Sequence, residues 1–129
     1  MDLSITTKSY GVENHSWLGS RHGHDNAQPC TLDTSLFTPG THYPNGFFLS
    51  GIPLGRVTAT KKMGPYDDAA SDGRQTLVGM LFTSVRAPED NTHDPIAAQL
   101  LHCLVVEAAL PIAVDAAGKA DVAGRITFV

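Results

Sequence analysis

Two groups of residues have side chains suited to chemistry. The first, His15, His22, His24 and Cys30, gathers possible metal ligands in one polar stretch. A zinc site needs about four converging ligands, brought together by short cysteine or histidine spacings. His22 and His24 stand two positions apart, no second cysteine is near, and no matching half-site follows. These histidines therefore read as exposed side chains. The second group is the acidic run Asp67-Asp68-Ala69-Ala70-Ser71-Asp72-Gly73. An EF-hand loop alternates its carboxylates and closes on a glutamate between two helices, and this run does neither. As an acid/base pair, Asp67 and Asp68 lack a companion nucleophile or basic residue. The run reads instead as a structural turn. Asp67, Asp68 and Asp72 can fold back on backbone N–H groups, Gly73 supplies a permissive position, and Tyr66 precedes them. No phosphate loop, nucleotide fingerprint or nucleophile elbow is present. No catalytic residue, cofactor or metal is expected; the enzymatic alternative is a small metal-dependent hydrolase using His22, His24, Asp67 and Asp68.

The 129 residues suit one domain. Lys and Arg number 9 against 13 Asp and Glu, giving a formal charge of −4 and no basic stripe for phosphates. Lys61-Lys62 would point to opposite faces of a strand and reads as a solvated pair. Nucleic acid and membrane are not expected partners. The longest apolar run, Leu100 to Val114, is interrupted by His102, Glu107 and Pro111 and falls short of the roughly 20 residues of a spanning helix. The first residues lack a basic, then apolar, secretion signal. The chain is thus expected to stay in the cytosol where it is made, with Cys30 and Cys103 as free thiols.

Residues 1 to 30 are rich in Ser, Thr, Asn, Gly and His, with Tyr10, Val12, Trp17 and Leu18 among the scattered apolar exceptions. So little apolar surface cannot offset ordering entropy unaided. The segment reads as an extended arm that orders on a partner, leaving residues 31 to 129 as a β-rich domain. Trp17 and Leu18 are the chosen anchors, because tryptophan is enriched in interfaces; the alternative is that Trp17 folds back onto its own domain. Turn signals follow at Thr38-Pro39-Gly40-Thr41, Tyr43-Pro44-Asn45-Gly46 and Ser50-Gly51-Ile52-Pro53. Gly55 to Thr60 and Leu77 to Val85 read as strands, with Gly79 marking a bulge or close backbone approach. Asp94-Pro95 predicts a helical turn from Ile96 to about Leu101, feeding a strand between His102 and Ala109. Asp115 to Gly118 reads as a turn or brief helical cap, and Arg125 to Val129 as a closing strand. Many short strands with Gly/Pro turns predict a mainly β sandwich or barrel with one or two short helices.

The segment Ile52-Pro53-Leu54-Gly55-Arg56-Val57-Thr58-Ala59-Thr60, followed by Gly64-Pro65-Tyr66-Asp67-Asp68-Ala69-Ala70-Ser71-Asp72-Gly73-Arg74-Gln75-Thr76-Leu77-Val78-Gly79-Met80-Leu81, resembles the head decoration proteins of tailed bacteriophages. Upstream, Ser16-Trp17-Leu18-Gly19-Ser20 and Thr31-Leu32-Asp33-Thr34 resemble members from phages of actinobacteria. The resemblance spans roughly residues 15 to 88, and the C-terminal third agrees only in general character. It implies a β-clip-like fold and a homotrimer at three-fold and quasi-three-fold positions on the outer surface of the virion. There the trimers would hold neighbouring copies of the major capsid protein against internal DNA pressure, without performing chemistry. It also implies an N-terminal arm that orders on the shell and adds main-chain hydrogen bonds to a capsid-protein loop; Tyr10, Val12, Trp17 and Leu18 are the capsid-binding residues expected on that arm. A tail, head–tail joining or host-attachment subunit is the alternative reading.

Overall fold

Prolines mark the limits of the main sheet. The computed structural model describes residues 13–89 and 92–129. With strands numbered in chain order, five of them lie as β1-β7-β5-β3-β4. These are β1 (Gln28–Thr31), β7 (Ile96–Leu100), β5 (Gly79–Leu81), β3 (Pro53–Arg56) and β4 (Met63–Pro65), all paired antiparallel. Pro29 stands opposite Ala98 and Pro65 opposite Leu54. The carbonyls of Ala98 and Leu54 accept from Phe82 and Val78 on the inner side. Each proline therefore turns its missing amide hydrogen toward the outer rim, where no ladder bond is lost.

Two smaller pairs complete the strands. β2 (Phe47–Phe48) runs antiparallel to β6 (Val85–Arg86), and β8 (Cys103–Val105) runs parallel to β9 (Ile126–Phe128). The described residues also form two short α-helices, α1 (Pro39–His42) and α2 (Ala116–Asp121). Pro39 opens α1, where its absent N–H would be unpaired in any case. Asp115 caps α2, its carboxylate accepting from Gly118 N at 2.8 Å. The described residues are mainly β with two short helices, as the pattern of turns and short strands predicts.

Both faces of the main sheet carry apolar layers. Neighbouring residues of a strand point to opposite faces, and Met80 and Leu81 accordingly enter different clusters. Met80 joins Trp17, Leu100, Val105, Val122 and Ile126. Leu81 joins Leu32, Phe37, Phe48, Ile52 and Met63. The sheet is thus covered from one side by the leading segment and the C-terminal elements, and from the other by the loops around β2.

Several elements differ from the sequence reading. Ile96–Leu100 is strand β7, not a helical turn. The expected cap is used elsewhere, since Asp94 accepts from Thr34 N and Lys62 Nζ. A helix this short is marginal, whereas β7 finds ladder partners on both sides in β1 and β5. Of the expected strand Gly55 to Thr60, only the beginning is extended. Thr58–Thr60 turn back toward β4, with Lys61 at φ 63° and Val57 N donating to Lys62 O at 2.9 Å. Leu77 to Val85 divides into β5 and the start of β6, and His102 to Ala109 into β8 and a 3-10 turn at Glu107–Ala109.

Residues 13–30 are folded onto the body, where an extended arm was expected. Trp17 is 1% exposed, and its indole fits over Gly51 and against Pro111. Its Nε1 donates to Ser50 Oγ at 3.0 Å, and that hydroxyl donates to Phe82 O at 2.5 Å. Leu18 bridges to Val105, and Gly19 N donates to Leu104 O. One large indole with a satisfied N–H outweighs the polar composition around it. Tyr10 and Val12 lie outside the described residues. Replacing Trp17 with alanine is expected to cost about 3–5 kcal/mol of folding stability, measured by urea unfolding. A cost below 1 kcal/mol would contradict the core assignment.

Candidate functional site

The Tyr66–Gly73 run forms a latched turn at the end of β4. Asp67 Oδ1 accepts from Ala69 N at 3.0 Å, and Ala70 N donates to Asp67 O. Asp72 accepts from Arg74 N and, through both carboxylate oxygens, from Arg74 Nε at 3.2 and 3.0 Å. Gly73 has φ 117°, and a Cβ there would lie 2.4 Å from Arg56 O. This position therefore requires glycine both for its backbone conformation and for space. Asp68 is exposed.

Two further ties join the turn to α2. Tyr66 donates its hydroxyl to Asp115 Oδ1 at 2.7 Å, the same carboxylate that caps the helix. Leu77 N donates to Asp121 Oδ2 at 3.0 Å, at the end of α2. Partial burial and the neighbouring Asp115 carboxylate push the Tyr66 phenol above its usual range. The Gly118 N–H and the Tyr66 hydroxyl hold Asp115 below the usual carboxylate value.

Arg74 runs over a floor that sequence reasoning did not identify. Gly55 and Gly64 are directly paired across β3 and β4. A Cβ at Gly55 would meet Arg74 Cα at 2.7 Å, and one at Gly64 would meet Arg74 Cδ at 2.6 Å. The sequence carries only the two glycines and a following Asp-Gly-Arg turn; that Gly55 faces Gly64 comes from the strand register. Two bare positions let the arginine lie flat and grip Asp72, whose carboxyl it holds below the ordinary range.

The leading segment is fastened at a second place. Glu13 accepts from Ser84 N through both oxygens, at 2.8 and 3.1 Å. His15 pairs with Glu13 at 3.0 Å and stacks on Phe82, with ring centres 5.1 Å apart. His24 packs against the same phenylalanine at 5.2 Å, while His22 meets His102 edge-on at 6.4 Å. The histidines are thus distributed as ring contacts along the seam where this segment meets the body. Among the described residues, no group of three or more His, Cys, Asp or Glu side chains could hold a metal ion. His22 and His24 do not converge with Asp67 and Asp68 as the hydrolase alternative requires.

Neither cysteine is disulfide-bonded. Burial pushes the Cys30 and Cys103 thiols up to about 11, away from the thiolate that nucleophilic chemistry needs. Lys62 is not merely a solvated surface residue. It pairs with Asp94 at 2.6 Å, and Asp94 also accepts from Thr34 N, fastening the approach to β7 onto the β3–β4 hairpin. Lys62 holds Asp94 below the carboxylate range and is itself raised by Asp94.

These ties have a defined pH dependence. Asp72, Asp94 and Asp115 have folded values below their ordinary ones. Their stabilisation is present above the unfolded carboxylate value of about 3.9 and is lost as pH falls through the folded values. Lys62 is raised, so its share is present below the unfolded lysine value of about 10.4 and is lost as pH rises through the folded value. Stability is expected to fall below about pH 4, and Asp94→Asn is expected to shrink that loss. Thermal unfolding between pH 2 and 7 measures both, and an unchanged acid limb in the variant would refute the assignment.

Comparison with known proteins adds one finding. The family model described as Bacteriophage lambda head decoration protein D matches residues 27–125. The match begins just before β1 and ends just before β9. It therefore starts later than the resemblance read from the sequence, leaving Ser16–Ser20 outside, and takes in most of the C-terminal third. No curated protein matches the chain in direct comparison. With the sheet, the latched turn and α2 all inside the matched range, the chain belongs to the bacteriophage lambda head decoration protein D family.

Proposed function

We propose that this chain assembles as a homotrimer at the three-fold and quasi-three-fold positions of an expanded phage head. There it grips the major capsid protein and braces the shell against internal DNA pressure. The carrying observation is the family match across residues 27–125. That family is structural and non-enzymatic, and membership implies a place on the phage capsid. Finer points of the proposal rest on physical argument. Three copies held together would multiply a weak individual contact through effective concentration, so each contact need not be tight.

The capsid-contacting stretch of this proposal is residues 1–12, with Tyr10 and Val12 as its anchors. Trp17 and Leu18 serve instead to fix the start of the body. What supports this division is the fastening of Glu13 to Ser84 and of Trp17 to Ser50, which commits residues 13 onward to the protein's own fold. Main-chain pairing with a capsid-protein loop would then give affinity, and side-chain pockets would give specificity.

Sedimentation with purified heads tests the proposal. The chain is expected to bind expanded shells of its own phage, three copies per site, and to leave unexpanded shells bare. Undecorated heads are expected to burst at lower temperature. Removing residues 1–12 is expected to weaken attachment at least about tenfold, equivalent to about 1.4 kcal/mol, without lowering the unfolding midpoint of the body. Failure to bind mature heads would overturn the decoration role, and density confined to the tail or head–tail junction would favour a different virion module. Unchanged attachment after the deletion would overturn the gripping role of residues 1–12 alone.

A further inference from the structure

Two residues that precede a glycine in tight turns carry side chains able to attack their own backbone, and the structure treats them in opposite ways. Asn45-Gly46 lies in the turn leading into β2, and Asp72-Gly73 in the latched turn. In both, the following nitrogen can close a five-membered ring on the side-chain carbonyl carbon, because glycine places no Cβ in the way.

At Asp72 the reaction is blocked. The carboxylate is ionised and held by Arg74, the Gly73 N–H donates to Gln75 Oε1 at 2.8 Å, and Gly73 is packed against Arg56 and Thr58. Rearrangement there would break the latch. At Asn45 the surroundings are open. Asn45 and Gly46 are exposed, and a Cβ at Gly46 would meet nothing within 4 Å. Among the described residues the Asn45 side chain makes no hydrogen bond. One 3.1 Å bond from Gly46 N to Tyr43 O holds the attacking nitrogen. Breaking it exposes the nitrogen to solvent, while the Ala87 N to Gly46 O bond can hold the strand beyond. The other described asparagines are poorer candidates. Asn14 precedes His15 and has its side-chain oxygen occupied by Ser16 N, and Asn26 precedes Ala27.

We propose that Asn45 is a site of spontaneous deamidation, water being the only co-reactant. The Gly46 nitrogen gives its proton to solvent base and attacks Asn45 Cγ. A C–N bond forms, the bond to the side-chain nitrogen breaks, and ammonia leaves with the proton returned from solvent. Water then adds to one of the two imide carbonyls and opens the ring to aspartate or isoaspartate. No electrons are gained or lost, and the formal charge becomes one unit more negative than −4. The isoaspartate product also adds a methylene to the main chain immediately before β2, whose Phe47 pairs with Arg86.

Incubating the purified full chain at mildly alkaline pH in ¹⁸O water, followed by peptide mapping, tests this. Asn45 is expected to convert to an isoaspartate and aspartate mixture carrying the label, roughly tenfold faster than Asn14 or Asn26, while Asp72 stays unrearranged. Conversion of Asn45 no faster than the other two, or isoaspartate at Asp72 at a comparable rate, would overturn the proposal. Gly46 has φ 80°, so a Gly46→Ala chain is strained whatever its chemistry. Asn45→Gln is the better variant and is expected to remove the early acidic species on charge-resolved chromatography. Persistence of that species in Asn45→Gln would also overturn it.

Discussion

The constraint from which the rest of the architecture follows is that the main sheet is apolar on both faces. Met80 and Leu81 are successive residues of one central strand, both fully buried, and they point into different layers. A sheet with one wet face would need a single cover. This one needs two, and a chain of this length has few helices to supply them. The covers are therefore irregular segments tied by individual hydrogen bonds. On one side lie the leading segment with Trp17, the β8–β9 pair and α2; on the other lie the loops around β2 and α1. Irregular covers must satisfy their backbone groups one at a time, which is why so many Asp, Ser and Thr side chains accept from or donate to main-chain atoms.

The latched turn is a case of that economy. A single stretch from Tyr66 to Arg74 closes on itself through Asp67 and Asp72, crosses the paired glycines of β3 and β4, and reaches α2 through Tyr66. Asp115 serves two partners at once, capping the helix and receiving the phenol. Of the acidic run that looks like a catalytic cluster in a linear sequence, Asp67 and Asp72 are spent on separate structural bonds and Asp68 is exposed. The depressed proton affinity of Asp72 arises from its hydrogen bonds to Arg74.

How much of this was legible depended on whether the deciding interaction was local. Gly73 and Asn45-Gly46 could be placed in turns because their conformational preferences act within a few residues. The strands around Leu54, Gly79 and Ile126 could be found from β-branched and apolar alternation, and Gly79 does sit in close approach, with its would-be Cβ 2.6 Å from Leu100 O. Asp94-Pro95 misled because its local helix-start signature is outweighed by two ladder partners and by Lys62, which lies far away in sequence. Trp17 was misread for the same reason. Composition around it argues for an arm, and only Ser50, Gly51 and Pro111, brought together by the fold, make a pocket for the indole. The Arg74 groove required knowing that Gly55 faces Gly64, a matter of register that no linear pattern states.

The two rim prolines bear on what this molecule avoids. A sheet edge with all its amides available is a template on which identical chains can add strand to strand and grow into ribbons. Part of each rim is closed by the chain itself, since Leu32, just past β1, bridges Met63 of β4 and Asp33 N donates to Met63 O at 2.8 Å. Pro29 and Pro65 each delete an outward donor from what stays open. Crowding many copies together, in solution or side by side on a curved surface, is therefore discouraged from passing into fibrous aggregation, and the main sheet stays finite.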